Sequence, residues 1–252
     1  MKSLMCCIGA AALVSSAASA SILYQTSFES PEFALGNING QSSWNADAGT
    51  IANTAGGART GSQYARMLGS NFTASNTARW AWDTSSSLTP ATLASSPIVR
   101  ASVWTQMVGN NGTRTFTAGL DCYDAALGRI GLMFIASDGS VTIIDGAGVT
   151  TSSAAGLLNP GSYHKLTIEM NFATQTAKYF VNNIDTGVIG TFTATDFADA
   201  DVRGTRSTGT GGANFEMRFD DYVVENEAIP APGAFALLGL GGLIASRRRR
   251  GN

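Results

Sequence analysis

Leu166-Thr167-Ile168-Glu169-Met170-Asn171-Phe172 alternates apolar and polar side chains without a break. In an extended chain successive side chains leave on opposite faces, so the even positions meet a core and the odd ones meet water. The same period-two pattern runs through residues 22–28, 79–83, 98–108, 115–123, 129–136, 177–181 and 215–224. Turn signals separate these runs: Asn110-Asn111-Gly112, Ser137-Asp138-Gly139-Ser140, Asn159-Pro160-Gly161 and Asn182-Asn183. No stretch between the two ends keeps a helical period with caps, and there is no internal repeat. Many short strands divided by Gly and Asn turns predict an all-β fold, a β-sandwich or jelly roll over 21–226. The Gly- and Thr-rich residues 203–212 read as a mobile surface loop.

Composition narrows the function classes. Of 252 residues, 44% are hydrophobic and 13% charged, the latter about half the ~25% of ordinary soluble domains. That balance argues against wholesale disorder. One histidine rules out a His-rich metal centre, and a net charge of −2 gives no general attraction to nucleic acid.

The two ends read as addresses. Met1-Lys2-Ser3 precedes an apolar stretch over 4–14, and Ala18-Ser19-Ala20 follows. One positive charge, a short apolar core and small residues before the cut make a secretory signal peptide, 1–20, with cleavage by signal peptidase after Ala20. The alternative is a buried N-terminal helix. At the other end Ile229-Pro230-Ala231-Pro232-Gly233 leads into an almost wholly apolar run, 234–246, closed by Arg247-Arg248-Arg249-Arg250. Thirteen helical residues at ~1.5 Å each reach roughly 20 Å, short of the ~30 Å hydrocarbon core, and flanking arginines snorkel to cover part of the gap. The arginines place the tail in the cytoplasm by the positive-inside rule and the domain outside. Residues 21–228 hold all 18 acidic residues but only 11 of the 16 basic ones, since Lys2 and the four tail arginines lie outside them, which leaves seven excess negative charges. They also keep one cysteine, Cys122, which reads as a small buried hydrophobe. A catalytic thiol would need His164 as its base.

The proline motif, apolar helix and arginine cluster over 229–252 resemble the PEP-CTERM sorting signal, with Pro230-Ala231-Pro232 in place of Pro-Glu-Pro. The resemblance implies transient inner-membrane anchoring and processing by an exosortase-type transpeptidase near the proline motif. It also implies delivery to the cell surface or extracellular matrix. The alternative is a plain anchor that stays attached. A second resemblance covers 21–226. Phe28-Glu29 closes a first strand, followed by Asn39-Gly40-Gln41 and Trp44. Pro160-Gly161-Ser162-Tyr163-His164 precedes the strand at 166, and Phe219-Asp220-Asp221-Tyr222-Val223 ends the domain. This order resembles the concanavalin A-like, or laminin G-like, jelly rolls, most of which are binding or adhesion modules and some glycosidases. It implies a structural or adhesive role within an extracellular polysaccharide matrix. The alternatives are a carbohydrate-binding module for one glycan and a weak glycoside hydrolase.

Candidate sites follow. Strict alternation puts Phe215, Met217, Phe219, Asp221 and Val223 on one face, where a carboxylate is costly unless paired or metal-bound. The resemblance implies structural calcium held by Glu29 with Asp220 or Asp221. Calcium takes six to eight oxygens, so backbone carbonyls would supply the rest. The alternative is Asp221 bonded to a backbone amide or an arginine. Asp196, Asp199 and Asp201 lack the Gly and closing Glu of an EF-hand and read as a solvated acidic loop. Glu216 and Asp220 stand four apart on one strand, ~13 Å, too far for the paired carboxylates of a retaining glycosidase. No enzyme is expected. Trp80 and Trp82 share a strand face and are candidates for stacking on sugar rings, or for filling the sandwich core; Trp44 and Trp104 are further candidates.

Overall fold

The computed structural model describes residues 20–47, 50–53, 56–72 and 77–228. Apart from Ala20, the residues expected to form a leader, 1–20, and a sorting tail, 229–252, lie outside them. Among the described residues no helix is long and apolar enough to cross a membrane. In chain order the elements are β1 (Ser21–Thr26), β2 (Gly36–Asn37), β3 (Trp44–Ala46), β4 (Thr50–Asn53), β5 (Tyr64–Leu68), β6 (Thr77–Asp83), α1 (Pro90–Ser95), β7 (Ile98–Val108) and β8 (Phe116–Tyr123). They continue with β9 (Arg129–Ala136), β10 (Val141–Asp145), β11 (Thr150–Ser152), β12 (His164–Asn171), β13 (Thr176–Val181), β14 (Ile184–Thr191), β15 (Asp199–Arg206) and β16 (Glu216–Glu227).

The strands form a two-sheet sandwich. The first sheet runs β14-β13-β12-β7-β16-β5-β4-β2, with β1 also against β16; the second runs β11-β10-β9-β8-β15-β6-β3. All strand pairs are antiparallel. The expected alternation holds on β12, where Leu166, Ile168 and Met170 are fully buried in the core. Their inward partners on β7, across the ladder, are Val103, Ala101 and Val99. The core's aromatic end is built on Trp44, whose ring lies 5.1 Å from Phe28 and 5.1 Å from Tyr222, both edge-on. Such edge-to-face pairs add to the area they bury. Among the described residues the one α-helix is six residues long, started by Pro90 at its first turn and by Thr89 Oγ1, which accepts from Thr92 N.

Two features of the ladder depart from strict alternation. On β16, Asp220 faces Trp104 and Val223 faces Ser102, so β16 takes three steps where β7 takes two. Asp221, the extra residue of this bulge, sits at φ +45°. The bulge reverses the facing. Met217 and Phe219 point into the core before it, Tyr222 and Val224 after it, while Asp221 and Val223 turn outward. The shared face expected for Asp221 and Val223 with Phe219 is therefore corrected.

The second departure is β15. The acidic loop expected around Asp199 and Asp201 and the mobile loop expected from 203 are in fact one strand as far as Arg206, placed between β8 and β6 in the middle of the second sheet. Ala200 and Val202 are fully buried inward, and Gly204 faces the sulfurs of Met67 and Met217. Small inward side chains alternating with charged outward ones hid the strand from its composition. The edge strand β14 was also not legible, because its residues are mostly exposed on both faces.

Candidate functional site

Glu29, Asp220 and Asp221 are brought together, and what they meet is the backbone loop at 59–63. Glu29 Oε1 accepts from Ser62 N and Gln63 N, both at 2.6 Å. A Cβ on Gly61, at φ +64°, would stand 2.3 Å from that oxygen, so only glycine fits the approach. Asp220, fully buried, accepts at Oδ2 from Arg59 N (2.7 Å) and Thr60 N (3.1 Å), and at Oδ1 from Asp221 N (2.8 Å). Burial pushes the Asp220 carboxyl up to about 6. Asp221 accepts from Thr60 Oγ1 at 2.6 Å and ion-pairs with the Arg59 guanidinium. The guanidinium in turn covers the Trp104 ring, 3.6 Å from its centroid. These carboxylate oxygens accept from N–H and O–H donors of the 59–63 loop and of Asp221. Among the described residues no group of three or more His, Cys, Asp or Glu is arranged to hold a metal.

His164 is equally committed. Its Nε2 lies 2.8 Å from Asn159 O and its Nδ1 3.0 Å from the Asn182 amide. Cys122 is fully buried, and burial holds its thiol well above the ordinary range. Neither is available as a nucleophile or base.

The tryptophans separate. Trp44 belongs to the core and Trp104 lies under Arg59. Trp80 and Trp82 are half-buried on the outer face of the second sheet, since Ala81 between them points inward. On the outward side of the neighbouring strands, Trp82 is in register with Asp201, and Trp80 with Arg203, on β15. Asp201 is in register with Asp121 on β8. Asn45 of β3 faces Trp82 from the other side. The outer face thus carries an aromatic pair beside a row of charges.

That row is unevenly paired. Asp121, with no exposed surface, accepts from Arg129 Nε at 2.7 Å and Arg129 Nη2 at 3.1 Å, and from the Tyr123 hydroxyl at 2.7 Å. Arg203 lies over the Trp80 ring, 5.8 Å from its centroid, and reaches Asp121 at 3.5 Å. Asp199 and Asp201 stand two apart on β15, and no described arginine or lysine forms a salt bridge with either. Asp201 is 7% exposed and its buried Oδ1 finds no hydrogen-bond partner. Burial, with the neighbouring Asp199 and Asp121 charges, raises Asp201 well above the usual carboxyl range, while burial raises Asp199 to about 6. Sequence reasoning missed this pair because it read β15 as loop. The signal that was present is the alternation of Ala200, Val202 and Gly204 with charged residues.

No family model matches the chain, and no curated protein sequence matches it. Solved structures do. A carbohydrate esterase from the Shiga toxin-encoding bacteriophage phi24B aligns with a TM-score of 0.53 at 12% identity, over 82% of this chain and 99% of that one. The carbohydrate recognition domain of Emp47p aligns with a TM-score of 0.49 at 9% identity, over 82% and 96%. A sialidase aligns with a TM-score of 0.48 at 11% identity, over 73% of this chain; the match spans only 17% of the sialidase. The likeness to the phage esterase is one of fold.

Proposed function

We propose that this protein is an exported glycan-binding sandwich of the concanavalin A-like jelly-roll class, acting as an adhesive component of an extracellular polysaccharide matrix. The observation that carries the binding reading is the Trp80–Trp82 pair. Two indoles two residues apart on the solvent side of a rigid sheet present apolar surface to the apolar faces of sugar rings. The charged row beside them, and Asn45, supply hydrogen bonds to hydroxyls. The fold shared with a phage carbohydrate esterase supports a polysaccharide context. Binding is preferred to hydrolysis because Glu216 and Asp220, the pair weighed for a glycosidase, stand four apart on β16, ~13 Å at strand rise.

Export rests on residues 1–20, and surface sorting on Pro230-Ala231-Pro232 with Arg247-Arg248-Arg249-Arg250. Signal peptidase and an exosortase-type transpeptidase are the processing partners this reading names.

The test is retention of the full chain on immobilised polysaccharides, including the exopolysaccharide of the producing cell. Retention that falls at least tenfold in a W80A/W82A variant with unchanged circular dichroism is the expected outcome. Retention that ignores both substitutions removes this face as the site, and no retention on any polymer removes the binding reading.

A further inference from the structure

The outer face of the second sheet carries more carboxylate than its own cations answer. Arg129 and Arg203 are both directed at Asp121. Asp199 and Asp201 stand two apart on β15 with no salt bridge to a described arginine or lysine, and Asp201 is in register with Trp82. A buried carboxyl oxygen without a donor is unfavourable, and a carboxyl pair of this kind calls for a proton or a cation. Asp201 Oδ1 is such an oxygen, more than nine-tenths buried and in the same cluster. A metal does not fit, for no metal-holding group exists among the described residues. An ammonium group fits both halves of the face. It donates up to three hydrogen bonds to the carboxylates, and its charge is attracted to the indole face beside them. With Asp199 at about 6, its carboxylate is charged at neutral pH. The seven excess negative charges of residues 21–228 favour approach of a polycation at long range.

We propose that the Asp199–Asp201 end of the Trp80–Trp82 face binds the ammonium group of a free amino sugar, so that the polysaccharide recognised is a glucosamine-type polymer. This deepens the glycan-binding reading above and rests on it. Trp82 stacks on the sugar ring, and the Asp199 carboxylate accepts from the ammonium on that ring's edge. An N-acetylated ring offers an amide there, which brings no charge and a larger group.

The experiment compares glucosamine oligomers with N-acetylglucosamine oligomers of equal length, binding to the full chain at pH 6.5 in low salt. The free-amine oligomer should bind at least tenfold tighter. The D199N/D201N variant should lose that preference and keep its affinity for the acetylated oligomer. W82A should weaken both. Circular dichroism checks folding, and D199N alone, at the less buried position, should already reduce the preference severalfold. Equal affinity for the two oligomers overturns the ammonium inference and leaves the glycan reading standing. No binding of either oligomer, together with no retention on the polysaccharide panel, overturns both. Polylysine bound as tightly as the glucosamine oligomer, with W80A/W82A without effect, also overturns the inference, since it reduces the face to a plain polyanion.

Discussion

Acidic side chains gather in two places in this molecule, and they are treated in opposite ways. On the first sheet Glu29, Asp220 and Asp221 meet a donor at every turn: the backbone of 59–63, Thr60 Oγ1 and Arg59. On the second sheet Asp121 is fully answered, while Asp199 and Asp201 have no salt bridge to a described arginine or lysine and Asp201 Oδ1 is left without a partner. The first arrangement pins a loop across the sheet and over Trp104. The second holds an unsatisfied pair at the surface edge of two indoles. A carboxylate whose acceptors are saturated by the chain acts in the fold. One that is buried and unsaturated stores an interaction for something else.

Four measurements separate the two acidic clusters. Asp121→Ala should have the largest effect, because it leaves Arg129 and Arg203 without their buried partner. A loss of about 3–5 kcal/mol in urea unfolding is expected, and a loss under about 1 kcal/mol would show that the second-sheet network is peripheral to stability. Asp220→Ala comes next. It strands the N–H groups of Arg59, Thr60 and Asp221, and a loss of about 1–3 kcal/mol is expected. Trypsin should then cut after Arg59 faster than in the parent, which separates release of this loop from general destabilisation.

The pH dependence is third. Asp199 and Asp220 are raised to about 6, and burial beside Asp199 and Asp121 raises Asp201 well above the usual carboxyl range, so the native state holds protons that the unfolded chain has released. Stability should therefore fall as pH rises from about 4 to 6. The D199N/D201N variant should flatten that fall, and Asp220→Asn should flatten it less, because three N–H donors already support the Asp220 carboxylate. A slope unchanged in D199N/D201N would mean that the pair is not strained in the way described. Last, W80A/W82A should change stability least, about 1 kcal/mol per residue on a half-exposed face. Its loss of glycan retention should be out of proportion to that.

Legibility in the sequence followed the side chains that faced a core. β7 and β9 emerge at the bounds their alternation predicts, because their inward positions are large and apolar. β15 did not, because its inward residues are Ala200, Val202 and Gly204 and its outward ones are charged. Glu29, Asp220 and Asp221 meet one loop, at 59–63, and Asp221 pairs with Arg59, as the arginine alternative has it. Their partners come from residues more than 30 positions from Glu29 and about 160 from Asp220 and Asp221, and no local pattern announces such bonds.

Composition and period-two alternation alone specify the all-β class, the strands with apolar faces and the acidic balance of 21–228. These are properties of composition and of neighbours within a few residues, which a period-two chain expresses directly. Only the tertiary structure decided which way Asp221 points, that Trp80 and Trp82 look outward, and that Asp199 and Asp201 lie beside them. A single inserted residue in β16 reverses the facing of every position after it. The registers of β6, β8 and β15 bring together residues far apart in the chain, and those registers are set by packing across the whole sandwich.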